Sequence, residues 1–213
     1  MKGHITERVL NHTYYVLTER AKIDLDFLIL TVSAAIICAL GFKMNSAAVI
    51  VGAMVVSPLL YPIICAGAAT YRADWNELVR SIGAFAAGFV AAVAAAAVVG
   101  LFYATAFRSE IIDRLSESVL DYFLVALFSG VAGTYAFFSP KIHGAVAGIA
   151  ISVALIPPVV MLGIGLGLGL AKQDTNLIFI SGKIVLGNVV GIYLGAIVMV
   201  AVLHRISADR IAR

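Results

Sequence analysis

The stretch that decides the fold runs from residue 45 to residue 71 and reads NSAAVIVGAMVVSPLLYPIICAGAATY. It contains no Asp, Glu, Lys or Arg. A helix that crosses the hydrocarbon core of a bilayer needs about 20 mainly apolar residues at about 1.5 Å each, and this stretch is longer. Pro58 and Pro62 interrupt it, and proline inside a helix removes a backbone hydrogen bond. The stretch therefore predicts a membrane-spanning helix that is broken at proline.

The composition of the whole chain is that of a membrane protein. Hydrophobic residues make up 62% of the 213 positions and charged residues 13%, and the mean hydropathy is +1.04. Soluble globular proteins are about half apolar and about a quarter charged. A soluble chain of this length needs more polar residues than this to cover its surface. We therefore expect an all-α, polytopic membrane protein whose surroundings are the lipid bilayer.

Six segments have the length and apolarity of spans, or nearly so. They are Phe27–Phe42, Asn45–Tyr71, Leu78–Phe107, Tyr122–Phe138, His143–Ala171 and Leu177–Leu203. They divide the chain into a leader, a first three-helix unit, a charged extracytoplasmic loop, a second three-helix unit and a tail, at residues 1–26, 27–107, 108–121, 122–203 and 204–213. Apolar residues of the leader recur at helical spacing among charges, which fits an amphipathic surface helix or a solvated segment equally well.

The distribution of Lys and Arg predicts the orientation of these spans. With six spans, both termini and the second and fourth connections lie on one side. That side has ten of the 15 Lys and Arg residues, and the other side has five. Cytoplasmic segments carry the excess of Lys and Arg, so we expect a multi-pass protein of the cell (inner or plasma) membrane with both termini in the cytoplasm.

The two halves of the chain resemble each other. Residues 24–30 (DLDFLIL) match residues 121–127 (DYFLVAL), and residues 47–58 (AAVIVGAMVVSP) match residues 146–157 (VAGIAISVALIP). Three spans in each half would place the second half upside down in the membrane. This predicts a 3+3 inverted repeat with broken second and fifth helices, as in many transporters. Chance similarity between apolar segments is the alternative.

The first predicted break carries five candidate site residues. They are Met54, Ser57, Pro58, Tyr61 and Pro62. The two prolines are expected to free the carbonyl groups of Met54 and Pro58, and a free carbonyl in hydrocarbon must face protein or water. The break is thus either a half-helix end that lines a pathway or a packing kink closed by Ser57.

The second predicted break lies in the corresponding span. Adjacent Pro157 and Pro158 free the carbonyl groups of Val153 and Ala154. Breaks in corresponding spans of an inverted repeat point to a site at the interface between the halves. We therefore include Ala154, Pro157 and Pro158 in the candidate pathway.

Three further polar residues lie at or inside the spans and complete the candidate pathway. Asn45 opens the second span, and Lys183 and Asn188 lie inside the last one. Polar and ionisable groups within a membrane are candidates for function. Lys183 could instead extend to the interface, and Asn188 could join two helices by a hydrogen bond.

Other classes of function have no signature in the sequence. The HExxH, GxSxG and nucleotide-binding glycine patterns are missing, so we expect no enzymatic activity and no cofactor. Ser129-Gly130 with His143 is too common a combination to indicate an intramembrane protease. Basic clusters with interleaved aromatic residues are missing too, so nucleic acid is not an expected partner. Runs of small residues at 83–97 and 163–169 indicate close helix packing, either within one chain or between copies in a homo-oligomer.

The chain resembles the prokaryotic integral-membrane family known as domain of unknown function 389 over residues 20–205. The resemblance rests on Asp24-Leu-Asp-Phe27, Gly41, Asn45-Ser46, Val49, Gly52-Ala-Met54, Pro58, Pro62, Asp121, Ser129-Gly130, Gly144, Val153-Ala-Leu-Ile-Pro-Pro158, Gly163 and Asn188. It implies a membrane architecture and names no substrate.

The function that these patterns favour is transport. We expect a membrane transporter or channel for a monovalent ion or small solute, with its path between the two proline-broken helices. The alternative is a non-transporting scaffold or sensor that acts through its cytoplasmic termini.

Overall fold

The computed structural model describes residues 7–104, 119–139, 144–172 and 176–211. Every regular element in these ranges is an α-helix, which confirms the expected all-α fold for this part of the chain. The helices are α1 Glu7–Arg20, α2 Leu25–Lys43, α3 Ala47–Val56, α4 Leu60–Tyr71, α5 Trp75–Phe102, α6 Val119–Phe138, α7 Gly144–Lys172 and α8 Asn176–Ile211. The predicted loop 108–121 lies outside the described residues up to Val119, where α6 begins.

Several of these helices have the length and composition of membrane spans. Four qualify by themselves, and these are Leu25–Lys43, Trp75–Phe102, Leu120–Phe138 and Asn176–Ser207. The pair α3 and α4 qualifies as a fifth when it is counted as one bent unit. Helix α7 has 29 residues, and residues 144–171 contain no Asp, Glu, Lys or Arg. The structure therefore supports a membrane protein with several apolar helices.

The first predicted break is present, and the second is not. Helix α3 ends at Val56 and α4 begins at Leu60, with a bend of 53° between them. Helix α7, in contrast, runs without interruption through Pro157 and Pro158. The prediction of a broken fifth helix is therefore wrong. Two prolines remove only two hydrogen bonds and keep a helical φ, and α7 is fully buried between its neighbours here, so packing holds the helix together.

The turn between α2 and α3 is closed by Asn45 in a left-handed conformation, with φ of 50°. The N–H of Asn45 donates to the carbonyl of Phe42 at 3.1 Å, and the N–H of Ser46 donates to the carbonyl of Gly41 at 2.9 Å. This is the Schellman pattern of helix ends, and Asn tolerates its positive φ well. The side chain of Ser46 then caps α3 by accepting from the N–H of Val49.

The turn between α4 and α5 has the same construction with a less suitable residue. Ala73 takes the left-handed position with φ of 53°. Its N–H donates to the carbonyl of Thr70 at 3.1 Å, and the N–H of Asp74 donates to the carbonyl of Ala69 at 2.9 Å. Asp74 then caps α5 by accepting from the N–H of Glu77 at 3.1 Å. Both short turns keep consecutive helices side by side and antiparallel.

Helix α5 packs closely on α7 through small residues. A Cβ atom added to Gly163 would lie 2.6 Å from the Cβ of Ala96, 2.5 Å from the carbonyl oxygen of Val93 and 3.2 Å from the N of Ala97. Contacts this short leave room for only the hydrogen atom of glycine at position 163. The glycine-rich run of α7 therefore serves packing within one chain at this position, as small residues do between membrane helices.

Helix α4 packs on α8 in the same manner. A Cβ added to Gly67 would lie 2.7 Å from the Cβ of Ala196, 3.2 Å from the carbonyl oxygen of Tyr193 and 3.4 Å from the N of Ile197. Thr70 and Tyr193 also join these helices through their hydroxyl groups at 2.8 Å. The second half of the broken unit is therefore held firmly against the last helix.

Helix α1 lies on the outside of the bundle against α4. Its residues Leu10 and Leu17, and Ala21 directly after it, are buried in the hydrophobic core, whereas Tyr15 is 62% exposed. One face is apolar and one polar, as expected for an amphipathic helix. The solvated alternative for the leader therefore does not describe residues 10–21.

Candidate functional site

The break between α3 and α4 consists of Ser57, Pro58 and Leu59, all of which are buried. Ser57 is extended, with φ of −74° and ψ of 127°, and this ends α3. The N–H of Leu59 donates to the Oγ of Ser57 at 3.4 Å, and the N–H of Tyr61 donates to the carbonyl of Pro58 at 3.2 Å. The expectation that Pro62 frees the Pro58 carbonyl is therefore wrong, because Tyr61 occupies it.

Pro62 itself does not break the chain. It lies in the first turn of α4, where the backbone N–H groups have no carbonyl partner within the helix. A residue without an N–H loses nothing at such a position. Of the two prolines in this stretch, Pro58 is thus the one that lies in the break.

The break lies deep in the bundle, at the level of the middle of α5. A Cβ added to Gly88, midway along α5, would lie 2.6 Å from the Cδ2 of Leu59 and 2.8 Å from two ring atoms of Phe27. Leu59 and Phe27 therefore meet over the one position of this turn of α5 that lacks a side chain. The glycine lets the non-helical segment approach the bundle interior.

Both halves of the chain surround the break. Helix α3 packs on α2 and on α7, and α4 packs on α5 and α8. The carbonyl groups of residues 53–56 form the C-terminal end of α3, and a helix leaves its last four carbonyls without partners in the helix. Met54, which is buried, belongs to this group. This end of the helix carries a partial negative charge and is aimed into the break.

Tyr61 forms the edge of the site on the α1 side. It is half-buried, and its ring contacts the ring of Phe137 at 6.1 Å in an edge-on arrangement. Its hydroxyl accepts from the Nη1 of Arg20 at 3.2 Å, and the Arg20 guanidinium lies 5.6 Å from the ring centre. The ends of α1, α4 and α6 therefore meet at one cation and two aromatic rings.

The polar groups buried in the described residues are all uncharged. They are Thr31, Ser57, Ser81, Thr134, Ser139, Ser181, Asn188 and Ser207. The described ranges also contain no group of three or more His, Cys, Asp and Glu side chains that could hold a metal ion. The interior can thus offer hydroxyl, amide and backbone dipoles to a solute, but no fixed charge.

Two of the candidate residues lie away from the break. Asn45 is exposed and forms the α2–α3 turn, so its place in the fold is that of a helix end. Lys183 is exposed on α8, between Phe179 and Leu186, which are each 67% exposed. These three side chains of α8 form part of an apolar stripe on the outer face, where a lysine extends to the membrane surface.

The remaining candidates lie on α7 and α8. Pro157 and Pro158 are buried inside α7, and Asn188 is fully buried on α8. The side chain of Ala154 and all of His143 lie outside the described residues. The structure brings Ser57, Pro58 and Tyr61 together, and it places the other half of the candidate pathway on helices that pack against them.

Sequence reasoning missed three residues of the site. The sequence patterns place Arg20 in the leader, Phe27 at the start of a span and Gly88 among many small residues. A signal existed only for Gly88, since an isolated glycine in a helix often marks a close approach. Arg20 and Phe27 belong to the site only through contacts with distant segments of the chain.

Comparison with known proteins identifies the family without naming an activity. The model of the family described as "Domain of unknown function (DUF389)" matches residues 54–194, which is more than half of the 213 residues. A relative in Methanocaldococcus jannaschii, described as "Uncharacterized protein MJ0678", is 24% identical over 196 residues. The match covers 91% of this chain and 59% of that protein. No solved structure matches the chain. The chain therefore belongs to the family of membrane proteins called domain of unknown function 389.

Proposed function

We propose that this protein is a membrane transporter or channel for a monovalent cation or a small neutral solute, with its path at the break between α3 and α4. The observation that carries the proposal is a non-helical, buried segment, Ser57–Leu59, that lies beside the middle of α5 in an apolar helical bundle. Irregular backbone at membrane depth is tolerated only where protein or a water-filled cavity surrounds it, and transporters use such segments to bind their substrates.

The length of the broken unit supports one crossing of the membrane rather than a loop that returns. Helices α3 and α4 have 10 and 12 residues, which is about 15 and 18 Å at helical rise. A bend of 53° reduces the advance of α4 along the axis of α3 to about 11 Å. The two helices together therefore advance about 26 Å, close to the roughly 30 Å of the hydrocarbon core once the break is added.

The packing of the glycines supports an inverted repeat. Gly67 and Gly163 each meet the same three atoms of a partner helix: the Cβ of an alanine, the carbonyl oxygen three residues earlier and the N one residue later. The alanines are Ala196 on α8 and Ala96 on α5. Gly191 of α8 meets the same three atoms around Ala126 of α6, so the pattern is a general one of glycine packed on alanine. Its presence in both α4 with α8 and α7 with α5 agrees with a shared arrangement of spans.

In an alignment on these two glycines, the two proline motifs do not fully correspond. Aligning Gly67 with Gly163 pairs Pro62 with Pro158 and Pro58 with Ala154. The second half therefore has alanine where the first half has its break-forming proline. The sequence comparison, which pairs Pro58 with Pro157, is shifted by three residues from this register.

The charge of the interior supports the substrate class. The C-terminal end of α3 supplies partial negative charge, and Pro157 and Pro158 remove the donors to the carbonyls of residues 153 and 154. No buried formal charge is present among the described residues to compensate a multivalent or strongly charged solute. A monovalent cation or a neutral polar solute fits such a set of dipoles.

The test is flux into liposomes that contain the purified, oriented protein, over a panel of monovalent ions and small solutes. Pro58→Ala, which restores a backbone donor at the break, is expected to abolish flux or change its selectivity. Pro62→Ala is the matched control, since its position requires no donor. Absence of flux above empty liposomes for folded protein would refute the proposal, and equal flux in Pro58→Ala and wild type would remove the break from the path.

A further inference from the structure

Helix α1 follows α4 along its length in the opposite direction. At the first turn of α4, Arg20 donates to the hydroxyl of Tyr61. At the last turn, the Nη2 of Arg72 donates to the side-chain oxygen of Asn11. The helix therefore extends from the end of α4 back to the first residues after the break.

The burial of α4 depends on this contact. Residues 62–69 are buried on every side of the helix, although α5 and α8 cover only part of its circumference. A helix that is apolar and buried all round needs neighbours all round. Helix α1 packs on α4 and on α6, and its residues Leu10 and Leu17 are buried, so its removal would uncover part of α4.

Tyr14 is the central polar contact of α1. Its hydroxyl donates to the Oδ2 of Asp74 at 3.1 Å, and the Arg72 guanidinium lies 4.6 Å from its ring centre. Burial, followed by the negative charge of Asp74, raises the pKa of Tyr14 above its ordinary value. The hydroxyl therefore keeps its proton at neutral pH and remains a donor to the residue that caps α5.

The attachment of α1 has the properties of a reversible one. The helix has 14 residues, a length at which isolated helices are marginal in water. Its bonds to Tyr61 and Arg72 lie at exposed positions, where water replaces a lost partner at little cost. The polar bonds of α1 therefore contribute little to docking, and the burial of Leu10 and Leu17 contributes most of it.

We propose that α1 is a strap that restrains the path. When docked, it holds Tyr61 beside the break through Arg20 and keeps α4 covered; when undocked, it releases both and raises flux. This inference rests on the proposed path, because it assigns control of that path to α1. The contacts of Arg20 with Tyr61, the edge of the site, make the connection.

The experiment compares phenylalanine variants of two neighbouring tyrosines, one that contacts the bundle and one that is exposed. Tyr14→Phe removes the hydroxyl bonded to Asp74, and Tyr15→Phe removes the hydroxyl of a 62% exposed neighbour. Docking is measured by the rate at which a maleimide labels Leu17→Cys, whose position is fully buried when α1 is docked. Control is measured as K⁺ efflux from KCl-loaded liposomes. The native Cys38 and Cys65 are buried, so the chain without Leu17→Cys supplies the labelling background.

Loss of one hydrogen bond of ordinary strength raises the undocked population roughly fivefold. We therefore expect both labelling and efflux to rise about fivefold in Tyr14→Phe and to remain unchanged in Tyr15→Phe. Raised labelling with unchanged efflux would overturn the strap and leave the path in place. Unchanged labelling in Tyr14→Phe combined with Arg72→Gln would overturn reversible docking. No efflux from any variant, for K⁺ and for every other solute of the liposome panel, would overturn the path, and the control assigned to α1 with it.

Discussion

The contact between α4 and α8 predicts an unusual pair of mutational results. Replacing Gly67 by alanine puts a methyl group 2.7 Å from the Cβ of Ala196, well inside the separation of two carbon atoms in contact. We expect Gly67→Ala to lower the free energy of unfolding by about 1–3 kcal/mol, the usual effect of overpacking. The other close atoms, at 3.2 and 3.4 Å, require only small shifts.

Moving the methyl group from α8 to α4 should restore stability. In the double variant Gly67→Ala with Ala196→Gly, the shortest contact is gone. Helix α4 gains an alanine in place of a glycine, and α8 gains a glycine in place of an alanine. The helix-propensity effects of about 1 kcal/mol each then oppose one another. The double variant should therefore unfold within about 1 kcal/mol of wild type.

The equivalent exchange between α7 and α5 should not restore stability. Gly163→Ala meets the Cβ of Ala96 at 2.6 Å but also the carbonyl oxygen of Val93 at 2.5 Å. Ala96→Gly removes the first contact and leaves the second, which belongs to the backbone and has no flexible end. Gly163→Ala with Ala96→Gly is therefore expected to remain destabilised by about 1–3 kcal/mol.

The assay is SDS-induced unfolding in mixed micelles, followed by far-UV circular dichroism. Gly52→Ala is the control, since a Cβ at Gly52 has nothing within 4 Å; alanine there should raise stability by about 0.5–1 kcal/mol. If Ala196→Gly does not rescue Gly67→Ala while the control behaves as expected, the close approach of α4 and α8 is not the reason for the glycine. The register that supports the inverted repeat would then lose its basis.

Three further results are expected. Ala73→Gly should raise the free energy of unfolding by about 1 kcal/mol, because alanine at φ of 53° is strained; the same change at Asn45 should have a smaller effect, and equal effects would contradict this account. Lys183→Met should leave liposome flux unchanged, since Lys183 lies on the exposed stripe of α8; loss of flux would return it to the path. In an alkaline titration followed by ultraviolet absorbance, the signal absent from Tyr14→Phe should appear above the ordinary tyrosine range. Its raised pKa means that the stability it contributes is complete below that range and is lost as the pH rises through the higher value; titration at the ordinary value would exclude the buried bond to Asp74.

The site was only partly predictable, and the two proline motifs show why. Both have the same local effect, since each proline removes one donor from the backbone. Pro58 lies where α3 ends in extended Ser57 and α4 starts afresh, whereas Pro157 and Pro158 lie in a helix that continues. A proline motif indicates a weak point in a helix. The helices packed around it decide whether the chain bends there.

The amino-acid sequence by itself determined the helical, apolar character of the chain, because composition and run length measure directly how much surface must avoid water. It also determined the family and the position of the break at Pro58. Only the tertiary structure decided that Arg20 contacts Tyr61, that Leu59 and Phe27 meet over Gly88, and that Lys183 is exposed on the outer face of α8. These contacts join segments up to 61 residues apart. Periodicity carries information about the face of one helix, and the register between two helices is set by the fit of their surfaces once both are in place.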